Sequence, residues 1–141
     1  MLPETLSHTP DNRPCTIFLA EDDIDDQELL HEALASLNAR IKLISFTTGV
    51  KFMNHIAEME DSLLPDLIIL DYNIPEINGA EILKQLGKHH RFDSIPKIVW
   101  STSDSHLFRQ TCLDLGARSY LVKPSSIGGI QHIAKKMLEH C

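Results

Sequence analysis

The chain has 141 residues, 43% of them apolar and 23% charged, and carries a formal charge of −7 at neutral pH. That length favours one domain with a real core, and that composition reads as globular rather than disordered. The negative charge argues against a non-specific grip on nucleic acid, which needs basic surface, and no run nears the roughly 18 apolar residues of a membrane span.

The stretch from Met1 to Pro14 holds Pro3, Pro10 and Pro14 among polar residues and has no apolar signal-peptide core. It reads as a flexible lead-in, residues 1–14, before a domain over residues 15–141. The three cysteines, Cys15, Cys112 and Cys141, are odd in number and scattered, with no Cys-x-x-Cys pair. Free thiols in a reducing cytoplasm are the expectation.

The first strand is expected over 16–20 and runs into Glu21-Asp22-Asp23, with Asp25 and Asp26 extending the acidic run. A helix follows over about 25–37, with Leu29, Leu30, Ala33, Leu34 and Leu37 at helical spacing. A second strand is expected over 42–46. Thr47 or Thr48 then caps a helix over about 49–59 whose inward residues read as Val50, Met53, Ile56 and Ala57.

The third strand, 66–70, is continuously apolar through Leu67-Ile68-Ile69-Leu70, as expected where both faces of a parallel sheet are covered. Asp71 ends it, and Tyr72-Asn73-Ile74-Pro75 and Asn78-Gly79 follow. The helix after Gly79 presents Ile82, Leu83 and Leu86. The fourth strand, 97–100, leads to Ser101 and to a helix capped by Ser103 or Asp104, with Leu107, Phe108, Cys112 and Leu115 inward. Gly116 stops that helix as a left-handed C′ residue. The fifth strand, Ser119–Val122, ends at Lys123-Pro124, and a last helix carries Ile127, Ile130, Ile133, Ala134, Met137 and Leu138.

Five strand-then-helix units in a row specify an α/β domain, a parallel sheet doubly wound with helices on both faces. Ligands of such sheets bind beyond the carboxyl ends of the strands. Glu21, Asp22, Asp71, Ser101 and Lys123 all fall at that level. Their chemistry suits a divalent cation and a phosphoryl group. Mg²⁺ takes hard oxygen ligands, here the Asp22 and Asp71 carboxylates, Glu21 through water and the Asn73 backbone carbonyl. Asp71 doubles as a nucleophile able to form an acyl phosphate, while Lys123 and the Ser101 hydroxyl neutralise charge on its oxygens.

The pieces Leu19-Ala20-Glu21-Asp22, Leu70-Asp71-Tyr72-Asn73-Ile74-Pro75 with Asn78-Gly79, Trp100-Ser101-Thr102 and Tyr120-Leu121-Val122-Lys123-Pro124 together resemble a response-regulator receiver domain of the chemotaxis-regulator type. The resemblance runs from Cys15 to about His140. It implies a flavodoxin-like (βα)5 fold with strand order 2-1-3-4-5. By position, Asp71 resembles the phosphoacceptor, Glu21 and Asp22 the acidic metal pair, and Asn73 the residue whose carbonyl joins the Mg²⁺ shell. Ser101 matches the switch hydroxyl, with serine standing where threonine is commoner. Lys123 matches the family lysine, and Tyr120 the aromatic that moves between outward and inward positions.

The implied function is a phosphorylation-dependent switch of two-component signalling, assisting only its own phosphorylation and dephosphorylation. The implied partners are a sensor histidine kinase or histidine phosphotransfer protein and an unidentified output protein, with no nucleic acid and no membrane insertion. The face of fourth helix, fifth strand and fifth helix commonly carries output or dimerisation in the family, so a homodimer through it is a further expectation. With one terminal helix after Lys123, a stand-alone cytoplasmic receiver is expected.

Blander readings exist for each piece. The acidic run alone reads as helix capping, with Asp23, Asp25 and Asp26 serving the helix dipole. Trp100 reads as core, and the histidines as solvated surface. An aspartyl-phosphate phosphatase of haloacid-dehalogenase type is the enzyme alternative. Asp71-Tyr72-Asn73 lacks that class's second acid. A flavodoxin-like cofactor binder fits less well, since the acidic loop after the first strand would repel a flavin phosphate.

Overall fold

A computed structural model describes residues 14–141, so the lead-in expected at 1–14 lies outside the described residues apart from Pro14. The strands are β1 (Cys15–Ala20), β2 (Ile41–Phe46), β3 (Leu67–Asp71), β4 (Lys97–Ser101) and β5 (Ser119–Val122). The helices are α1 (Ile24–Leu37), α2 (Gly49–Ala57), α3 (Gly79–Leu86), α4 (His106–Asp114) and α5 (Ile127–Leu138), with short 3-10 turns at Asp61–Leu63 and His90–Phe92. All strand pairs are parallel and the order is β2-β1-β3-β4-β5, as the resemblance implied.

Alternation along the strands divides the core between the two faces of the sheet. Phe18, Ile68, Leu70 and Val99 point toward α2, α3 and α4, where Phe52, Ile56, Ile82, Leu83, Leu86 and Cys112 close over them. Ile17, Leu19, Leu67, Ile69, Ile98 and Trp100 point toward α1 and α5, meeting Leu30, Leu34, Ile130, Ile133 and Met137. β3 is buried at every position because it is central and covered on both sides. Burying each such Leu, Ile or Phe stabilises the fold by about 1.5–3 kcal/mol.

Helix ends follow side-chain chemistry. Asp23, Thr48, Asn78, Ser105 and Ser126 each accept a backbone N–H in the first turn of the helix they precede. At the end of α4, Gly116 takes φ +106°, and Ala117 N–H and Gly116 N–H reach back to the Cys112 and Leu113 carbonyls. That is the Schellman arrangement the glycine implied.

Several inward assignments are corrected. Leu29, Leu37, Val50 and Leu107 are exposed, as is Ala57, whereas Phe52 is fully buried. In α2 the buried stripe is Gly49, Phe52 and Ile56 with Met53 beside it, so Met53 and Ile56 lie where expected while Gly49 and Phe52 take the inward places expected of Val50 and Ala57. Ser105, not Ser103 or Asp104, caps α4, which places Leu107 in the first turn, off the buried face.

The cysteine expectation is also corrected. Cys15 and Cys141 are joined as a disulfide with Cα atoms 6.1 Å apart, and only Cys112 is free among the described residues. A crossover helix runs back toward the amino ends of the strands. The end of α5 therefore returns to the edge where β1 begins, 126 positions away in sequence.

Candidate functional site

Register gathers the site. Ala20 pairs with Leu70, Asp71 with Trp100, and Ser101 with Val122. The residue after β1, the last residues of β3 and β4 and the residue after β5 therefore end at one level. Glu21, Asp71, Ser101 and Lys123 occupy those positions. Asp71 and Ser101 are the final residues of their strands, one step further inside than the sequence suggested.

Glu21 and Ser101 are fully buried and Asp71 is 5% exposed, whereas Asp22 is open to solvent. Glu21, Asp22 and Asp71 each offer a carboxylate oxygen, all within 4.8 Å of one another. The Lys123 ammonium lies 2.7 Å from Glu21 Oε1, 2.9 Å from Asp26 Oδ2 and 3.3 Å from Asp71 Oδ2. Asp71 Oδ1 accepts the Asn73 N–H at 3.1 Å, and Glu21 Oε2 accepts the Asp23 N–H at 3.1 Å. Both turns are thereby tied to the carboxylates they follow.

Electrostatics match this crowding. Burial pushes the Glu21 carboxyl up to about 7, aided by the neighbouring Asp71 and opposed by the Lys123 hydrogen bond. Burial pulls Lys123 down, but its bonds to Glu21 and Asp26 outweigh that and hold it above the ordinary lysine value. Lys123 is thus the fixed cation of the site. The all-oxygen, acidic donor set with one open side fits a hard divalent cation.

Toward α4, Ser101 Oγ accepts the Ser103 N–H at 3.1 Å, and the Tyr120 hydroxyl donates to the Ser103 carbonyl at 2.8 Å. Tyr120 is inward and 3% exposed. The Arg109 guanidinium lies 5.0 Å from its ring centre and donates to its carbonyl oxygen.

Two residues acquire contacts that the sequence reading did not assign. Asp26, read as serving the helix dipole, bonds Lys123. Trp100 is core as expected, but its ring centre also lies 4.7 Å from Lys123 Nζ. The available signal for Asp26 was an acid in the first turn of a helix that starts directly above the strand ends.

Residues 17–135 match the family model described as the response regulator receiver domain. The chain belongs to that family. The receiver is 30% identical to the response regulator Rcp1 of Synechocystis, over 82% of this chain and 81% of Rcp1. It is 30% identical to the chemotaxis protein CheV2 of Helicobacter pylori, over 86% of this chain but only 38% of CheV2. Among solved structures it resembles the phosphorylated cyanobacterial phytochrome response regulator RcpA, with a TM-score of 0.82 at 29% identity over 89% of this chain and 92% of that one. It also resembles the Mn²⁺-bound form of Rcp1, with a TM-score of 0.78 at 26% identity over 87% and 91% of the two chains.

The protein is therefore a receiver domain of two-component signalling, and the phosphatase alternative gains no support. The receiver's acidic cluster is suited to a divalent metal. No described helix is long and apolar enough to cross a membrane.

Proposed function

We propose that Asp71 accepts a phosphoryl group from the phosphohistidine of a sensor histidine kinase or histidine phosphotransfer protein, and that the phosphorylated receiver changes its protein contacts. The observation that carries this is the convergence of the Glu21, Asp22 and Asp71 carboxylates with the Lys123 ammonium at one end of the sheet. A phosphorylated relative and an Mn²⁺-bound relative of the same fold support it.

In the transfer, an Asp71 carboxylate oxygen attacks phosphorus, a P–O bond forms, and the P–N bond to the donor imidazole breaks. Glu21, Asp22, Asp71 and the Asn73 backbone carbonyl would hold Mg²⁺, which supplies charge neutralisation at the phosphoryl oxygens. Lys123 already touches Asp71 and neutralises further charge. The Ser101 hydroxyl turns from the Ser103 N–H to the phosphoryl group. That releases the loop whose Ser103 carbonyl holds Tyr120, and coupling passes to the face of α4, β5 and α5.

On this reading that face contacts the output protein or a second copy of the chain, the protein has no outside substrate, and it works in the cytoplasm. A reducing cytoplasm would hold Cys15 and Cys141 as thiols, with the bridge closing under oxidation. Incubation with Mg²⁺ and acetyl phosphate should yield a base-labile phosphate adduct by intact mass, and Asp71→Asn should abolish it. An adduct that survives Asp71→Asn, or turnover of free phosphate monoesters, overturns the proposal.

A further inference from the structure

We infer that Asp26 is a positioning residue for Lys123, holding its ammonium in the orientation that meets the phosphoryl group. The inference rests on the phosphoacceptor reading of Asp71 and assigns a role to a residue outside the acidic trio.

An ammonium has three N–H donors. Lys123 directs them at three carboxylates, Glu21 at 2.7 Å, Asp26 at 2.9 Å and Asp71 at 3.3 Å. Glu21 and Asp71 belong to the group whose oxygens converge for a cation, and Asp26 does not. A cation that engages Glu21 and Asp71 weakens two of the three contacts. Asp26 then remains as the carboxylate partner of Lys123 that a cation does not claim, while the donor once aimed at Asp71 is free for a phosphoryl oxygen.

Asp26 is built to stay in place. It sits in the first turn of α1, where its own N–H donates to the capping Asp23 side chain at 3.1 Å. The next residue, Gln27, donates its side-chain amide to the Glu21 carbonyl, which ties the helix start to the end of β1. Asp26 is partly buried, with 31% of its side chain exposed, so its bond to Lys123 is less screened than a surface pair. Asp26, Trp100 and Lys123 line one pocket of ≈ 140 Å³ together with Leu29, Pro124 and Ile130. The lysine head is thus steadied by the indole and by one carboxylate from α1.

The test compares phosphorylation rates by acetyl phosphate in Asp26→Ala, Asp26→Asn and Asp25→Asn, with melting temperatures to check folding. Asp25 shares the helical turn and the charge but is exposed and makes no contact with Lys123. Asp26→Ala should slow adduct formation about tenfold, ~1.4 kcal/mol of barrier. Asp26→Asn, which keeps an acceptor oxygen, should restore most of the rate, and Asp25→Asn should match the parent. In a Lys123→Ala background Asp26→Ala should have no further effect, because the coupling runs through the ammonium.

A second readout needs no phosphodonor. Trp100 is the only tryptophan, so its fluorescence should shift in Asp26→Ala as Lys123 moves over the ring, and stay unchanged in Asp25→Asn. The inference is overturned if Asp26→Ala matches the parent in rate and fluorescence. It is equally overturned if its effect persists undiminished without Lys123. Loss of the Asp71 reading looks different: the adduct would then survive Asp71→Asn whatever stands at position 26.

Discussion

The Tyr120 hydroxyl donates a 2.8 Å hydrogen bond to the Ser103 carbonyl, from a ring almost wholly buried between α4 and the sheet. Ser103 in turn gives its N–H to Ser101 Oγ and accepts the Ser105 N–H on its own hydroxyl. One strand of bonds therefore runs from the end of β4 through the loop to the cap of α4. Tyr120→Phe keeps the ring and removes the bond. The expected cost is about 0.5–1.5 kcal/mol in urea unfolding. An unchanged midpoint would mean that the bond holds nothing in place.

Lys123 is the cation of a crowded acidic site, with Glu21 fully buried beside it. Lys123→Ala leaves those carboxylates without a partner and should destabilise the protein by about 3 kcal/mol in chelator. Added Mg²⁺ should recover part of that loss, since it restores positive charge at the same oxygens. The check is a pair of melting curves for each protein, with EDTA and with Mg²⁺. An equal Mg²⁺ response in parent and variant would count against a shared site.

Gly79 opens α3 against the acidic strand end. A Cβ there would lie 3.0 Å from the Asp71 carbonyl oxygen and 3.1 Å from Tyr72 Cα, both backbone atoms that cannot swing aside. Gly79 N–H also bonds the Tyr72 carbonyl, so the contact is fixed from both sides. Gly79→Ala should cost about 1–3 kcal/mol and slow phosphorylation as well. A variant as stable as the parent would show that the loop yields.

Burial pushes the Cys112 thiol up to about 11 from an ordinary 9.0. The folded protein keeps this proton where the unfolded chain loses it, so its contribution to stability falls as pH rises from about 9 to 11. At pH 8 the thiol should resist iodoacetamide until the protein unfolds. Cys112→Ala should lack the alkaline decline that this group adds. Rapid native labelling would refute the buried placement.

The Cys15–Cys141 bridge closes nearly the whole described chain, and long loops constrain the unfolded state most. Oxidised protein should exceed reduced protein in stability by about 2–4 kcal/mol, measured by denaturant unfolding with and without dithiothreitol. Cys141→Ser should remove the difference. A gap that persists in that variant would place the effect elsewhere.

Much of this was legible in the residues. The β3 run Leu67-Ile68-Ile69-Leu70 declared a doubly covered strand ending at Asp71, because burial and strand termination are local in sequence, but not that Asp71 itself is almost wholly buried. Capping by Thr48, the Gly116 stop and the alternation of five strands with five helices follow from equally local rules. The helical phase was harder. Val50 and Phe52 are both apolar, and only the position of β1 and β2 decides that Phe52 turns inward against Phe18 and Phe46.

By itself, then, the sequence determined the order of elements, the strand ends that carry acids, hydroxyl and lysine, and the family these imply. Tertiary structure alone decided that Asp26 reaches Lys123 across 97 positions and that Cys15 meets Cys141 across 126. The reason is physical. A strand or a cap is specified by neighbours within a few residues, whereas these contacts depend on how the sheet's register and the packing of α1 and α5 bring distant chain segments to one place.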